Sequence, residues 1–495
     1  MSDLEPVAEM ERCESTGWHV PRRSPGLMVV AMAMAAMTGC GVSPLSDDWI
    51  PRRPLVRDLP AYQAPVDWSN NDEQDGVAAT RDALSSSSRN KPAAVKGDLS
   101  LRQALEHALL ANPDLKATAW DRHTAGARSL QASLPPNPTV DFMVERVGGT
   151  GPVNEFKGAE TTLQLSQMIE TADKRLKRIA LAEADRQLAL WDYEAKRVAL
   201  AAETAMRFID VLAGQERVKL AEQTLSLAEQ TLKLVEDRVK SGVAPVLERE
   251  KATVRLSTDR IVLERARRQL ATARAKLAAL WGQDASFASA VGNLDDLAAV
   301  PALESVAGKL EQNPQVARWG AEISQRRAAI ELAKAKAVPD VTGAVGAMHM
   351  NDSDDVVMLF EVMVPLPLFD RNQGGILEAR FNLAKANAQQ SAAQVSARAM
   401  LAQAYNEMAQ AHHEASTLRN ETLPAARRAF EAVRQAYENG RATYLDVLDA
   451  QRTLVDTQRE QINAQATYHA AVAATEGLIG EALTGPSAAP PSSPR

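Results

Sequence analysis

Only two cysteines occur in 495 residues, Cys13 and Cys40, and both lie near the N-terminus, so no disulfide framework supports this fold. Aromatic residues make up 4% of the chain, too few for a core of bulky side chains. Gly-rich phosphate loops, a G-x-S-x-G elbow and the H-E-x-x-H zinc motif are all missing. The seven histidines are scattered, and the one adjacent pair, His412 and His413, would point about 100° apart on a helix, which suits no single metal ion. The expectation is therefore no enzyme, no cofactor and no metal site. A net charge of −7 argues against nucleic acid, which requires a clustered basic surface. No run reaches the roughly 18 to 20 apolar residues of a transmembrane helix, so a bilayer could be crossed only by a β-barrel.

What is present begins with an export signal. Arg22 and Arg23 precede an apolar run over 27–37, and Thr38-Gly39-Cys40 closes it with small residues, so 1–39 reads as a removable signal peptide. The ending resembles a lipoprotein processing box with Cys40 as the lipidation site. Met37-Thr38 departs from the usual Leu-Ala or Leu-Ser, and ordinary cleavage nearby is the alternative. Residues 40–98 are rich in Pro, Asp and Ser and read as an extended, lipid-anchored tether; 484–495 read as a disordered tail.

Between these ends the chain is written twice. Asn112-Pro113 recurs as Asn313-Pro314 and Pro138-Thr139-Val140 as Pro339-Asp340-Val341, both at an offset of 201. Asp173-Lys174 pairs with Asp370-Arg371, Gly242 with Gly440, and Leu280-Trp281-Gly282 with Leu478-Ile479-Gly480, at offsets of 197 to 198. The repeats are 99–282 and 301–483, joined by an equatorial linker over 283–300.

Within each copy the hydrophobic period changes in the same order. Helical stretches over 99–133 and 302–337 end at Pro135-Pro136 and Pro339. Two strand-like runs of about ten residues follow in each, 139–147 with 160–169 and 341–350 with 356–364, the length of a transmembrane β-strand. Val356, Met358, Phe360, Val362 and Val364 share one face, and Glu361 points to the other. An edge hairpin on a soluble domain would show the same alternation. Residues 170–240 then run without proline, about 105 Å if fully helical. Their apolar positions, such as Val198, Ala202, Ala205, Ile209 and Leu212, alternate four- and three-residue spacings, a coiled-coil seam. Reversals follow at 241–245 and 438–441, and Pro424, standing where the first copy has Ser226, predicts a kink in the second copy alone.

Four strands cannot close a barrel, so several chains must contribute to one wall. The ordered set of helix, strand hairpin, long helix, turn and helix, given twice, resembles the TolC family of outer-membrane factors over nearly all of 99–483. The run from Val364 to Gly374 (VPLPLFDRNQG) resembles the barrel-to-helix junction of its CzcC-like, heavy-metal efflux branch. Gly440 to Gln451 (GRATYLDVLDAQ) resembles the family's periplasmic tip. The resemblance implies a mixed α/β membrane protein: a homotrimer whose three copies of four strands form a 12-stranded barrel, continued by a periplasmic coiled-coil tube. It implies passive conduction, with energy from an inner-membrane pump of the resistance-nodulation-division (RND) type and delivery through a periplasmic adaptor. A drug-efflux or type I secretion channel on the same fold remains an alternative, as does a coiled-coil lipoprotein scaffold that forms no pore.

Asp446 and Asp449 lie three apart and share a helical face. By resemblance they line the periplasmic aperture, where threefold symmetry would ring the axis with carboxylates that favour cations. Two solvated acids on an amphipathic helix would look the same. Arg238, Gly242 and Val243 at the first tip, with Gly440 and Arg441 at the second, resemble the family's adaptor-docking surface. Each glycine also suits a plain helix C-cap.

Overall fold

The structure, a computed structural model, describes residues 55–56, 58–62, 97–151 and 154–483. The signal peptide, Cys40 and the 484–495 tail lie outside the described residues.

Strand β1 (Asp98–Ser100) enters α1 (Leu101–Ala111), whose first turn is closed by a reciprocal bond pair between Ser100 and Gln103. Then come α2 (Pro113–Ser133), β2 (Thr139–Glu145), β3 (Glu160–Ile169), α3 (Lys174–Lys240) and α4 (Val246–Ala279). The linker contributes β4 (Ser289–Val291), and the second copy runs through α5 (Leu303–Ala307), a 3-10 turn, α6 (Pro314–Lys336), β5 (Val341–Met350) and β6 (Asp355–Met363). It ends in α7 (Gln373–Thr417), a π-helical turn (Leu418–Thr422), α8 (Leu423–Glu438) and α9 (Tyr444–Ile479).

The duplicated Asn-Pro pairs explain themselves in the fold. Asn112 Oδ1 accepts from Leu115 N at 2.8 Å to cap α2, while its Nδ2 donates to Leu280 O at the end of the returning α4, also at 2.8 Å. Asn313 repeats the act, capping α6 through Gln315 N at 2.7 Å and donating to Gly477 O and Leu478 O at the end of α9. Pro follows each because the first helical residue needs no N–H. One side chain thus fastens the start of each copy to its end, and it breaks the stretches expected as continuous helices over 99–133 and 302–337.

Several boundaries differ from expectation for identifiable reasons. α3 starts at Lys174, not 170, because Ala172 and Asp173 turn the chain with φ of 52° and 57°. Asn372 turns it likewise at 53° before α7, so the structural counterpart of Asp173 is Asn372, and the pairing with Asp370 is corrected. β2 stops at Glu145 because Arg146 takes φ 57°. At 67 residues α3 is about 100 Å long. Pro424 has no N–H for the Asn420 carbonyl, and the π-turn just before it widens the helix where the ring would crowd that carbonyl.

The long helices form one layer: α4 packs on α3, α3 on α9, and α9 on α7 and α8. Small side chains let them approach, as Ala201, Ala213, Ala278 and Ala473 do around Phe208, Leu277 and Trp281. The 283–300 linker is more ordered than its composition suggests. β4 pairs in parallel with β1, and the Gln215 side chain brackets Ala290, donating to its O at 3.0 Å and accepting from its N at 2.7 Å. Part of the expected tether is also corrected. Val56 and Leu59 are buried in the main core, Leu55 N donates to Gly480 O at 2.8 Å, and Tyr62 O accepts from the Tyr193 hydroxyl at 2.6 Å. Among the described residues no helix is long and apolar enough to cross a membrane.

Candidate functional site

The sheet is the first half of the site. Its order is β2-β3-β5-β6, all antiparallel, and β2 and β6 are each paired on one side only. Paired residues of neighbouring strands share a face, so the register sorts every side chain. One face carries the rows Val140, Leu165, Val345, Phe360 and Phe142, Leu163, Ala347, Met358. These apolar residues stand open, with Phe142 at 70% and Phe360 at 81% exposure, and none of the described residues covers them. The other face carries Thr139, Ser166, Ala344, Glu361 and Asp141, Gln164, Gly346, Leu359, then Glu145, Glu160, Met350, Asp355. Gln164 Nε2 donates to Glu361 Oε2 across this polar face at 2.8 Å. The four strands contain five carboxylates and no lysine or arginine, and all five carboxylates lie on the polar face. Met348, Met350 and Met363 share that face, whereas Met358 lies on the apolar one.

The helical tips are the second half. Both reversals close in the same way: Val243 N donates to Arg238 O at 3.0 Å and Arg441 N to Ala436 O at 2.8 Å, each around a glycine at φ 71° or 72°. Only glycine takes that conformation without cost. Gly242, Val243, Gly440 and Arg441 are exposed at the two turns. Arg238 is not. Its guanidinium lies 4.5 Å from the Tyr437 ring centroid and donates to Tyr437 O at 2.7 Å, so it joins the two tips to each other.

Tyr437 is the centre of that junction, and sequence reasoning missed it. Its hydroxyl donates to Glu248 Oε2 at 2.9 Å, and its ring sits 6.1 Å from that of Tyr444. Burial, reinforced by the Glu248 carboxylate, pushes the Tyr437 hydroxyl well above the ordinary tyrosine range, and burial takes Tyr444 up to about 12. Both stay protonated, and Tyr437 stays a donor, at any physiological pH. The available signal was scarcity: two of six tyrosines flank one turn.

Asp446 and Asp449 are both exposed at the start of α9. Asp446 also closes the helix, for its Oδ2 accepts from Thr443 N at 2.8 Å and from the Thr443 hydroxyl at 2.7 Å. Those two bonds hold its carboxyl below the usual aspartate range.

An open sheet with one apolar and one acidic face, continued by paired helical hairpins, defines the class of outer-membrane efflux channels. The family described as outer membrane efflux protein matches residues 104–283 and 308–481, and the chain belongs to it. It is 33% identical over 319 residues to the cobalt-zinc-cadmium resistance protein CzcC of Cupriavidus metallidurans, covering 64% of this chain and 74% of that one. It is 26% identical over 304 residues to the nickel-cobalt-cadmium resistance protein NccC of Alcaligenes xylosoxydans xylosoxydans, covering 61% and 69%. Among solved structures, a CusC structure superposes with a TM-score of 0.66 at 19% identity over 87% of this chain and 98% of that chain. The outer membrane protein VceC of Vibrio cholerae gives 0.65 at 19%, over 78% and 97%.

Proposed function

We propose that three copies of this chain close a twelve-stranded barrel in the outer membrane and export heavy-metal cations through it. The observation that carries the reading is the sorting of the sheet: apolar side chains on one face, five carboxylates on the other, of which among the described residues only Glu160 has a basic partner, Arg146 just beyond the end of β2, and an unpaired edge at each end. Unpaired edges are not tolerated in lipid, and joining β2 of one copy to β6 of the next removes them. The apolar face then meets lipid, and the acidic face lines a lumen that favours cations. Similarity to CzcC and NccC, whose names state resistance to cobalt, zinc, nickel and cadmium, supports divalent metals as the cargo.

In this reading the helical layer extends the wall into the periplasm, Asp446 and Asp449 ring its aperture, and Cys40 carries the lipid anchor. The exposed turns at Gly242, Val243, Gly440 and Arg441 receive a periplasmic adaptor coupled to an inner-membrane pump of the RND type, which supplies the energy. Arg238 and the Tyr437–Glu248 bond hold the tip shut, and opening moves α8 and α9 away from α3 and α4. The chain itself performs no catalysis.

Two measurements test this. The mass in detergent should be that of three copies, with discrete cation-selective steps in a planar bilayer; a soluble oligomer without conductance would return the scaffold reading. Deleting the gene should lower tolerance to cobalt, zinc and cadmium while leaving tolerance to hydrophobic drugs intact. The reverse pattern would make this a drug channel.

A further inference from the structure

A groove of about 480 Å³ lies between α3, α4 and α9, inside a single copy. Five arginines line it: Arg217 from α3, Arg255 and Arg265 from α4, and Arg452 and Arg459 from α9. Only two carboxylates, Asp259 and Asp456, share the lining, so five positive groups against two negative leave an excess of three. The pairings deepen the imbalance. Asp259 is committed to Arg255 at 2.8 Å, and Asp456 serves both Arg459 at 2.9 Å and Arg452 at 3.7 Å. Arg217 donates only to the neutral amide oxygen of Asn463, at 2.8 Å, and Arg265 is exposed and forms no ion pair among the described residues.

Self-repulsion on this scale is costly to place in a concave site unless something negative enters it. We propose that the groove binds a small polyvalent oxyanion of the phosphate type. Guanidinium forks match the oxygens of such an anion and bond to them in pairs, which a halide cannot reproduce. Gln269 on the same lining adds a neutral amide donor, while the Thr224 and Thr258 hydroxyls already donate to Leu220 O and Val254 O.

The location gives the binding a consequence. Asp449, Arg452, Asp456 and Arg459 follow one another at three- and four-residue spacings, so the groove opens on the face of α9 that bears the tip aspartate. The 283–300 linker bonds to Gln215 and Gln465, which point to the opposite side of α3 and α9. An anion held by Arg217 and Arg265 of the first repeat and Arg459 of the second bridges the two repeats about 20 Å along α9 from Asp446. It would brace the same pair of hairpins that the Tyr437–Glu248 bond joins at the tip. The cation path would then pass a wall segment that stores anions.

The test uses the full-length protein in detergent, with inorganic pyrophosphate as probe and sodium chloride at matched ionic strength as control, read by isothermal titration calorimetry. Saturable pyrophosphate binding is expected, with no heat of binding from chloride. Arg265→Ala breaks no ion pair and should weaken binding about tenfold, the effect of losing one charged hydrogen bond. Arg265→Ala with Arg459→Ala should weaken it further, and Arg428→Ala, on exposed α8 outside the groove, should change nothing. Equal response to chloride, or undiminished binding in Arg265→Ala and in the double variant, would overturn the proposal. The groove belongs to one copy, so a failure here is separate from any failure of the trimeric reading, which the mass in detergent reports.

Discussion

Tyr437 joins the two hairpins at the tip through a hydrogen bond to Glu248, a stacked Arg238 and a ring contact with Tyr444. Tyr437→Phe keeps the packing and removes the bond, so it should cost about 1 kcal/mol of stability and raise the open fraction in bilayer recordings. An unchanged conductance would mean that the hairpins are held by packing alone. Asp446 calls for a finer substitution than alanine, because alanine removes the cap and the charge together. Asp446→Asn keeps an acceptor for Thr443 while removing the charge, so helicity should hold and cation selectivity should fall. The pH argument follows from the lowered carboxyl. A depressed folded value gives stability that is complete above the ordinary aspartate value, about 3.9, and is lost as pH falls through the lower folded one. Carboxyl titration by NMR should therefore place the Asp446 midpoint below that of a free aspartate. A midpoint at or above it would mean that the cap does not form.

At the scale of elements, Gly242 and Gly440 close equivalent turns with no neighbour within 4 Å of where a Cβ would stand. Gly440→Ala thus isolates the backbone term, and a loss of about 1 kcal/mol in thermal unfolding is expected with no change in mass. Elements with a long period were legible in the sequence: β3 and β5 fall where the alternation placed them, and the π-helical turn before Pro424 follows from proline's missing donor. Short or non-local features were not. β1 and β4 have three residues each and no period to read. Val56 and Leu59 belong to the short run Leu55 to Tyr62, which shows no helical or strand period, and their burial depends on a groove built by distant helices. At the tip the glycines announced themselves as turn residues, but the partner of Tyr437 comes from the other repeat, and no local pattern names it. Arg238 was legible as a tip residue and illegible in direction, since an arginine there can face solvent or a neighbouring ring.

For the whole molecule the sheet faces make opposite predictions. Phe360→Arg places a charge on the apolar face, where a bilayer midplane penalises it by about 2 to 4 kcal/mol, so the oligomer recovered from membranes should diminish. Asp141→Asn, on the other face, should leave that yield intact and lower cation preference. Equal effects of the two would mean that the faces are not divided between lipid and water.

The hydrogen bond from Leu55 to Gly480 ties together nearly the two extremes of the described chain, and β1 waits for β4 across most of the first repeat. Contacts of such long sequence separation form late, because loop closure precedes any gain. A chain interrupted before Gly480 can build its hairpins yet never form the bond that ties Leu55 to the end of α9. Completion is thereby marked in the fold itself: only a polypeptide synthesised to the end of its last long helix can make the Leu55–Gly480 bond.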